Sequence, residues 1–170
     1  MVMGRDDAPV TMIEYSSLAC PHCAAFHRDV LPKIKETYID TGKVRLIYRD
    51  FPLGGLALAA AMLARCGGSA KFFGFIEVLY RSQAQWSSAD DPSRELARVA
   101  RFAGISQKDF EACLVNEPLM TDIRERAADA QKKFGIESTP TFIIEGEKIV
   151  GAQPFEAFRD VIEKALEKKR

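Results

Sequence analysis

Two cysteines separated by two residues, Cys20-Pro21-His22-Cys23, have the types and spacing to do redox chemistry. The two intervening residues let the sulfurs meet and close a small ring. Proline is favoured at the first position of a helix, where its missing N–H costs nothing. Cys20 then falls at the N-cap and Cys23 in the first turn. Unpaired N–H groups and the positive end of the helix dipole favour an anion at that N-cap, and His22 adds a protonatable neighbour. Each lowers the thiol pKa, and the thiolate is the reactive species. A stabilised thiolate stabilises only the reduced form, so the disulfide of such a pair is oxidising. Zinc is the competing reading, because Cys20, His22, Cys23 and His27 make four ligands on paper. Structural zinc sites, however, pair two such knuckles a dozen or more residues apart. This chain has no second knuckle and only two histidines, so no metal site is expected.

The elements around the motif read as a strand, a helix and a strand. Val10–Ser16 is β-branched and aromatic and short enough for a strand. From Pro21 the apolar residues Phe26, Val30, Ile34 and Tyr38 recur every four positions, a helical period. Pro32 interrupts that helix and removes a hydrogen bond to the Arg28 carbonyl, which predicts a kink. Lys43–Phe51 reads as the second strand of a βαβ unit. From Leu56 to about Phe134 there is no strand signal. Helix-like blocks run over Leu56–Cys66, Lys71–Ser82, Pro92–Ala103, Ser106–Val115 and Leu119–Phe134, with Pro92 and Ser106 as start signals. The aromatic stripe Phe72, Phe73, Phe75, Ile76, Leu79 and Tyr80 reads as core, and Trp86 falls in a loop-like stretch. Strand character returns at Thr139–Ile144, with a turn and Lys148–Val150 completing a hairpin. A last helix runs over Phe155–Lys168. Its basic end, Lys168-Lys169-Arg170, complements the helix dipole. The fold class is α/β.

Composition bounds the function. The chain has 170 residues, 47% hydrophobic and 28% charged, which is ordinary globular composition and excludes general disorder. Lys+Arg and Asp+Glu number 24 each, so the basic footprint of a nucleic-acid binder is missing. No run of 18 or more apolar residues offers a membrane span. Met1–Pro9 is polar and has no apolar stretch of the kind a signal peptide needs. An exported form would therefore have lost its leader.

At this point the residues resemble a known family, the DsbA-type thiol–disulfide oxidoreductases. The likeness begins at Ala8-Pro9-Val10 and runs through Glu14-Tyr15-Ser16 and Cys20-Pro21-His22-Cys23. It continues to Gly135-Ile136, Ser138-Thr139-Pro140-Thr141 and Gly151-Ala152-Gln153-Pro154. The resemblance implies a thioredoxin-like fold with an inserted all-helical domain. Its thioredoxin-like part is expected over residues 1–53 and 135–170 and the insert over 54–134. It implies an oxidase that introduces disulfides into exported proteins through Cys20 and Cys23, without a cofactor. Cys20 is then the exposed nucleophile, Cys23 the buried resolving thiol and His22 a stabiliser of the Cys20 thiolate. Pro21-His22 is similar to the dipeptide of the strongly oxidising members. Glu14 matches a buried acid beneath the pair that tunes proton transfer at Cys23, although a solvent-facing strand residue is the alternative. Thr139-Pro140 matches a cis-proline facing the cysteines. Its strand edge would take an extended substrate peptide, with Thr139 offering backbone groups near the sulfurs. His27 reads as an ordinary helix residue one turn past Cys23, with a role in proton transfer as the alternative.

The resemblance further implies folding proteins with free thiols as substrates and a membrane quinone reductase of the DsbB type as reoxidant. It points to a periplasmic location and a monomer. An isomerase or reductase of the same fold is the alternative. Cys66 and Cys113 are either two separate buried thiols or a second disulfide, since some relatives carry one at similar helical positions. Such a bond would close a loop of roughly 48 residues, worth about 4 kcal/mol by chain entropy.

Overall fold

The computed structural model describes residues 1–169; Arg170, read above with the basic end of the last helix, lies outside them. Five strands form one mixed sheet: β1 (Val2–Met3), β2 (Val10–Ser16), β3 (Val44–Asp50), β4 (Thr141–Ile144) and β5 (Glu147–Val150). Their order is β1-β3-β2-β4-β5. Only β2 and β3 run parallel, from Val10↔Val44 to Ser16↔Asp50. The helices between them are α1 (Pro21–Asp29) and α2 (Leu31–Ile34), followed by a π-helical turn at Lys35–Ile39. The βαβ unit is thus present, and its C-terminal strand ends open toward Cys20.

The expected kink divides the first helix in two. Val30 ends α1 by donating to the Phe26 carbonyl at 3.0 Å, and its own carbonyl starts α2. Pro32 carries no N–H for Arg28, so the break falls at the turn that precedes it. One face of the sheet buries Met12, Leu46, Phe142 and Ile144 against Phe26, Ile34, Phe158 and Ile162. The rings of Phe26, Phe142 and Phe158 lie 4.5–5.3 Å apart, centroid to centroid. Phe158 and Ile162 belong to the last helix, α9 (Phe155–Glu167). On the opposite face Ile13, Tyr15 and Ile143 meet Ala127 and Ala130 of α8 (Glu117–Phe134).

Residues 55–134 hold α3 (Gly55–Cys66), α4 (Phe72–Arg81), α5 (Gln83–Ser87), α6 (Pro92–Phe102), α7 (Gln107–Leu114) and α8. Their core includes Leu63, Phe72, Phe75, Leu79, Trp86, Leu96 and Phe110. It extends without a break to Leu18, Cys20, Cys23 and Tyr48. The helical region therefore packs directly on the redox motif. No helix among the described residues is long and apolar enough to cross a membrane.

Several details differ from the sequence reading. The stretch containing Trp86 is helical (α5), and Trp86 is fully buried, its indole N–H donating to the Leu79 carbonyl at 2.9 Å. Five residues are too few to display a helical period. The two-residue strand β1 also escaped pattern reading; it pairs with β3 at Ile47 and Leu46. α8 begins at Glu117 rather than Leu119, because the Asn116 side chain caps it by accepting from the Leu119 N–H. It ends where Gly135 adopts the left-handed conformation, φ 58°, a position glycine fills at least cost. β4 starts at Thr141, not Thr139, since Pro140 has no N–H to give to a ladder.

Candidate active site

The strand-to-helix junction sets the geometry. Cys20 is the N-cap of α1 in extended conformation, with Pro21 at the first helical position. Its carbonyl accepts the N–H of Ala24 at 3.2 Å and its N–H donates to the Ser17 carbonyl at 3.0 Å. From the helical region, Gln83 donates through Nε2 to the carbonyls of Leu18 (2.7 Å) and Cys20 (2.9 Å). The loop carrying the first cysteine is thus held from both sides.

The two thiols sit in unlike surroundings. Cys20 exposes 8% of its surface and Cys23 none. The expected exposed nucleophile is therefore a nearly covered one. Leu18, Gln83 and the Thr139-Pro140 segment close around it, and Thr139 and Pro140 are themselves buried. The Cys20 thiol donates to the Thr139 carbonyl at 3.3 Å. The Thr139–Pro140 peptide bond is cis. The Cys23 sulfur accepts the Ser17 N–H at 3.5 Å.

Donation from the Cys23 thiol is the main influence that pulls the Cys20 pKa down from 9.0 to about 5. The Thr139 side chain and the backbone N–H groups of Cys23 and His22 act in the same direction, against partial burial. Burial in turn pushes the Cys23 thiol far up, and the adjacent Cys20 adds to it. At neutral pH the pair is one thiolate and one thiol.

His22 is placed differently from expectation. Its side chain is exposed and makes no side-chain hydrogen bond among the described residues. Its backbone N–H, a free donor of the first helical turn, is what acts on the Cys20 sulfur. Pro21 is likewise exposed.

Glu14 is fully buried, which decides against a solvent-facing strand residue. Its Oε1 lies 2.9 Å from Nε2 of His27, whose side chain is 7% exposed, while its Oε2 has no partner. The sequence reading set His27 down as an ordinary helix residue, although it stands four residues after Cys23 and so on the same helix face. Ser16, Tyr48 and Tyr80 were also missed as site residues. The Tyr80 hydroxyl lies 2.8 Å from Ser16 Oγ and 3.0 Å from the Tyr48 hydroxyl, and Ser16 acts to lower the pKa of the Cys23 thiol. Gln83 carries no signal that a sequence could show. Cys20, His22, Cys23 and His27 do not converge: no three metal-ligating side chains among the described residues stand together.

Cys66 and Cys113 are joined by a disulfide between the last residue of α3 and the last turn of α7. Cys66 is exposed and Cys113 buried, so the bond pins one surface position to the helical core.

A thioredoxin family model matches residues 1–164. Among solved structures, Wolbachia pipientis alpha-DsbA1 is 36% identical, with a TM-score of 0.91 over 98% of this chain and 90% of that one. The oxidised BdbD of Bacillus subtilis is 26% identical, with a TM-score of 0.85 over 98% of this chain and 92% of that one. Among curated relatives, disulfide bond formation protein D of Bacillus subtilis is 28% identical over 99% of this chain and 78% of its own length. A Rickettsia conorii protein whose name includes the words protein-disulfide oxidoreductase is 29% identical over the whole of this chain. The chain spans 61% of that relative's length.

Proposed function

The chain belongs to the thioredoxin family as a DsbA-type member, and from that premise we propose that it is a thiol oxidase donating its Cys20–Cys23 disulfide to exported proteins. The observation that carries this reading is the asymmetry of the pair. Cys20 sits among the amides of a helix start, and Cys23 is sealed beneath it.

The steps follow from that asymmetry. A substrate thiolate attacks the Cys20 sulfur, the more accessible of the two. The Cys20–Cys23 bond breaks, and Cys23 leaves with the electron pair and takes up a proton. A second substrate thiolate then attacks the substrate sulfur of the mixed disulfide. Cys20 leaves as a thiolate, a good leaving group because its pKa is low. The substrate has lost two electrons and the pair has gained them.

In this proposal Thr139 and Pro140 line the approach to Cys20, with the Thr139 carbonyl already within reach of the sulfur. Glu14 serves proton transfer at Cys23. Residues 1–53 with 135–170 form the redox domain and 54–134 the inserted one. Periplasmic location, folding proteins as substrates and a DsbB-type quinone reductase as reoxidant belong to the same proposal.

Equilibration with glutathione buffers, followed by peptide mapping of each cysteine pair, tests it. The expected potential is near about −120 mV, as for DsbA. A value near about −270 mV, as for thioredoxin, would overturn the oxidase reading in favour of a reductase.

A further inference from the structure

The proposed reaction leaves Cys23 with a problem that its burial creates. A departing thiolate there must be protonated, yet the sulfur is wholly out of reach of water. Cys20 is nearly covered too, and its sulfur, bonded to the substrate in the mixed disulfide, carries no proton to supply.

One buried pair of titratable groups does connect this interior to the outside. Glu14 and Ser16 lie on the same face of β2, two residues apart. Ser16 hydrogen-bonds to the Tyr80 hydroxyl, and the N–H of its neighbour Ser17 donates to the Cys23 sulfur. Glu14 binds His27 Nε2, and its second oxygen is free to hold a proton. The His27 ring is packed 4.4 Å from the Tyr80 ring and edge-on to Tyr48 at 6.1 Å. Its remaining side borders a crevice of about 220 Å³ between α1 and α4. The charged groups in that crevice are already matched: Arg81 binds Glu77, and Arg28 binds Asp29. The residue that joins the solvent-lined crevice to the buried carboxyl is therefore His27.

We infer that His27 is the proton port of the redox pair, passing a proton from the crevice to the Glu14 carboxyl beneath the cysteines each time Cys23 leaves as a thiolate. This inference rests on the thiol-oxidase reading. His27 touches neither sulfur, so it is a positioning and relay residue and not a catalytic one.

The test follows reduction of the Cys20–Cys23 disulfide by dithiothreitol, with pH varied. One dithiothreitol thiolate attacks Cys20, and its second sulfur closes the ring. Dithiothreitol is oxidised, Cys23 takes one proton, and Cys20 is released as the thiolate. His27→Gln and His27→Ala are compared with wild type, with the fluorescence of buried Trp86 reporting that each is folded. Both variants should react at least tenfold more slowly, with a pH profile altered from that of wild type. Imidazole should restore His27→Ala through the crevice, whereas pyrazole, equal in size and far less basic, should not.

Wild-type rates and pH profile in a folded His27→Gln would overturn the inference. Equal rescue by pyrazole would do the same, since it would show that the ring only fills space. Should wild type itself fail to exchange with dithiothreitol, the redox reading would fall instead, and the two failures are thereby told apart.

Discussion

The molecule holds two cysteine pairs at opposite kinds of helix end. Cys20 stands at the N-cap of α1, where the first-turn amides are unpaired and the dipole is positive. Cys66 is the last residue of α3, and Cys113 lies in the last turn of α7. At those C-terminal ends the orphan groups are carbonyls, which disfavour an anion. The Cys20 thiolate therefore stabilises the reduced state of its pair, and no such assistance is offered to Cys66 or Cys113. Loop length separates them further. Three positions part Cys20 from Cys23, whereas 47 part Cys66 from Cys113. Closing a loop of the second size constrains the unfolded chain far more. On the proposed reading, one pair is placed to give its bond away and the other to keep it.

Breaking the first pair should have the largest effect. Cys20→Ser removes the sulfur that substrate attacks, so oxidation of a dithiol peptide should fall to the uncatalysed rate. Below about pH 5, where Cys20 is a neutral thiol, the thermal midpoint of the variant should stay close to that of reduced wild type, because serine is nearly isosteric and the Thr139 carbonyl keeps a donor; at higher pH the variant should fall behind by the lost thiolate contribution. Activity persisting in Cys20→Ser would show that the nucleophile lies elsewhere.

The sign of the thiolate effect can be tested with pH. Cys20 titrates at about 5 in the folded reduced protein, against 9.0 for an ordinary thiol. A depressed folded pKa stabilises the fold fully above the unfolded value and loses that contribution as pH falls through the folded one. Reduced protein should therefore gain stability relative to oxidised protein as pH rises from about 5 to 9. The gain is roughly 5–6 kcal/mol, at about 1.4 kcal/mol per pH unit. Urea denaturation of both forms across that range measures it, and thiolate absorbance near 240 nm gives the midpoint directly. A flat difference between the two forms would contradict a Cys20 thiolate held by the Cys23 thiol and the helix start.

The second pair should answer with the opposite profile. Replacing Cys66 and Cys113 together by alanine should cost about 4 kcal/mol of stability through loop entropy. That loss corresponds to a fall in Tm of roughly 8–16 °C for a chain of this size. The Cys20 titration should keep its midpoint, because neither sulfur contacts the α1 N-terminus. A moved midpoint with little loss of stability would reverse the roles assigned to the two pairs.

What could be read in advance follows the range of each signal. The Cys-Pro-His-Cys junction, the strands Val10–Ser16 and Val44–Asp50 and the long helices announce themselves through local period and capping. Strand alternation could not place Glu14, since Met12 and Ser16 share its face. The resemblance to a family put Glu14 beneath the pair, and burial of the side chain agrees with that placement. His27 was visible as a helix position but not as a partner, because its contact comes from a strand 13 residues away. Gln83 was invisible on every count. It sits in a five-residue helix and acts on carbonyls 63 and 65 residues distant. Contacts of that separation are made by tertiary packing, and no local pattern encodes them.

Gln83 offers the smallest and most selective way to sharpen the comparison between the two pairs. Its amide is the link by which the helical region grips the active-site loop, and its two donors satisfy two buried carbonyls at once. Gln83→Leu keeps the bulk and removes both donations, leaving those carbonyls with fewer partners. The cost should be about 1–3 kcal/mol, below that of losing the Cys66–Cys113 bond. The Cys20 carbonyl also accepts the first hydrogen bond of α1, so a looser loop lets the helix start fray. The amides of His22 and Cys23 would then point less steadily at the sulfur, and the Cys20 midpoint should rise by roughly half a unit. Cys66–Cys113, anchored elsewhere in the helical region, should stay bonded under the same redox buffer. A Gln83→Leu protein that lost stability without moving the Cys20 titration would show that the clamp holds the two regions together without tuning the thiolate.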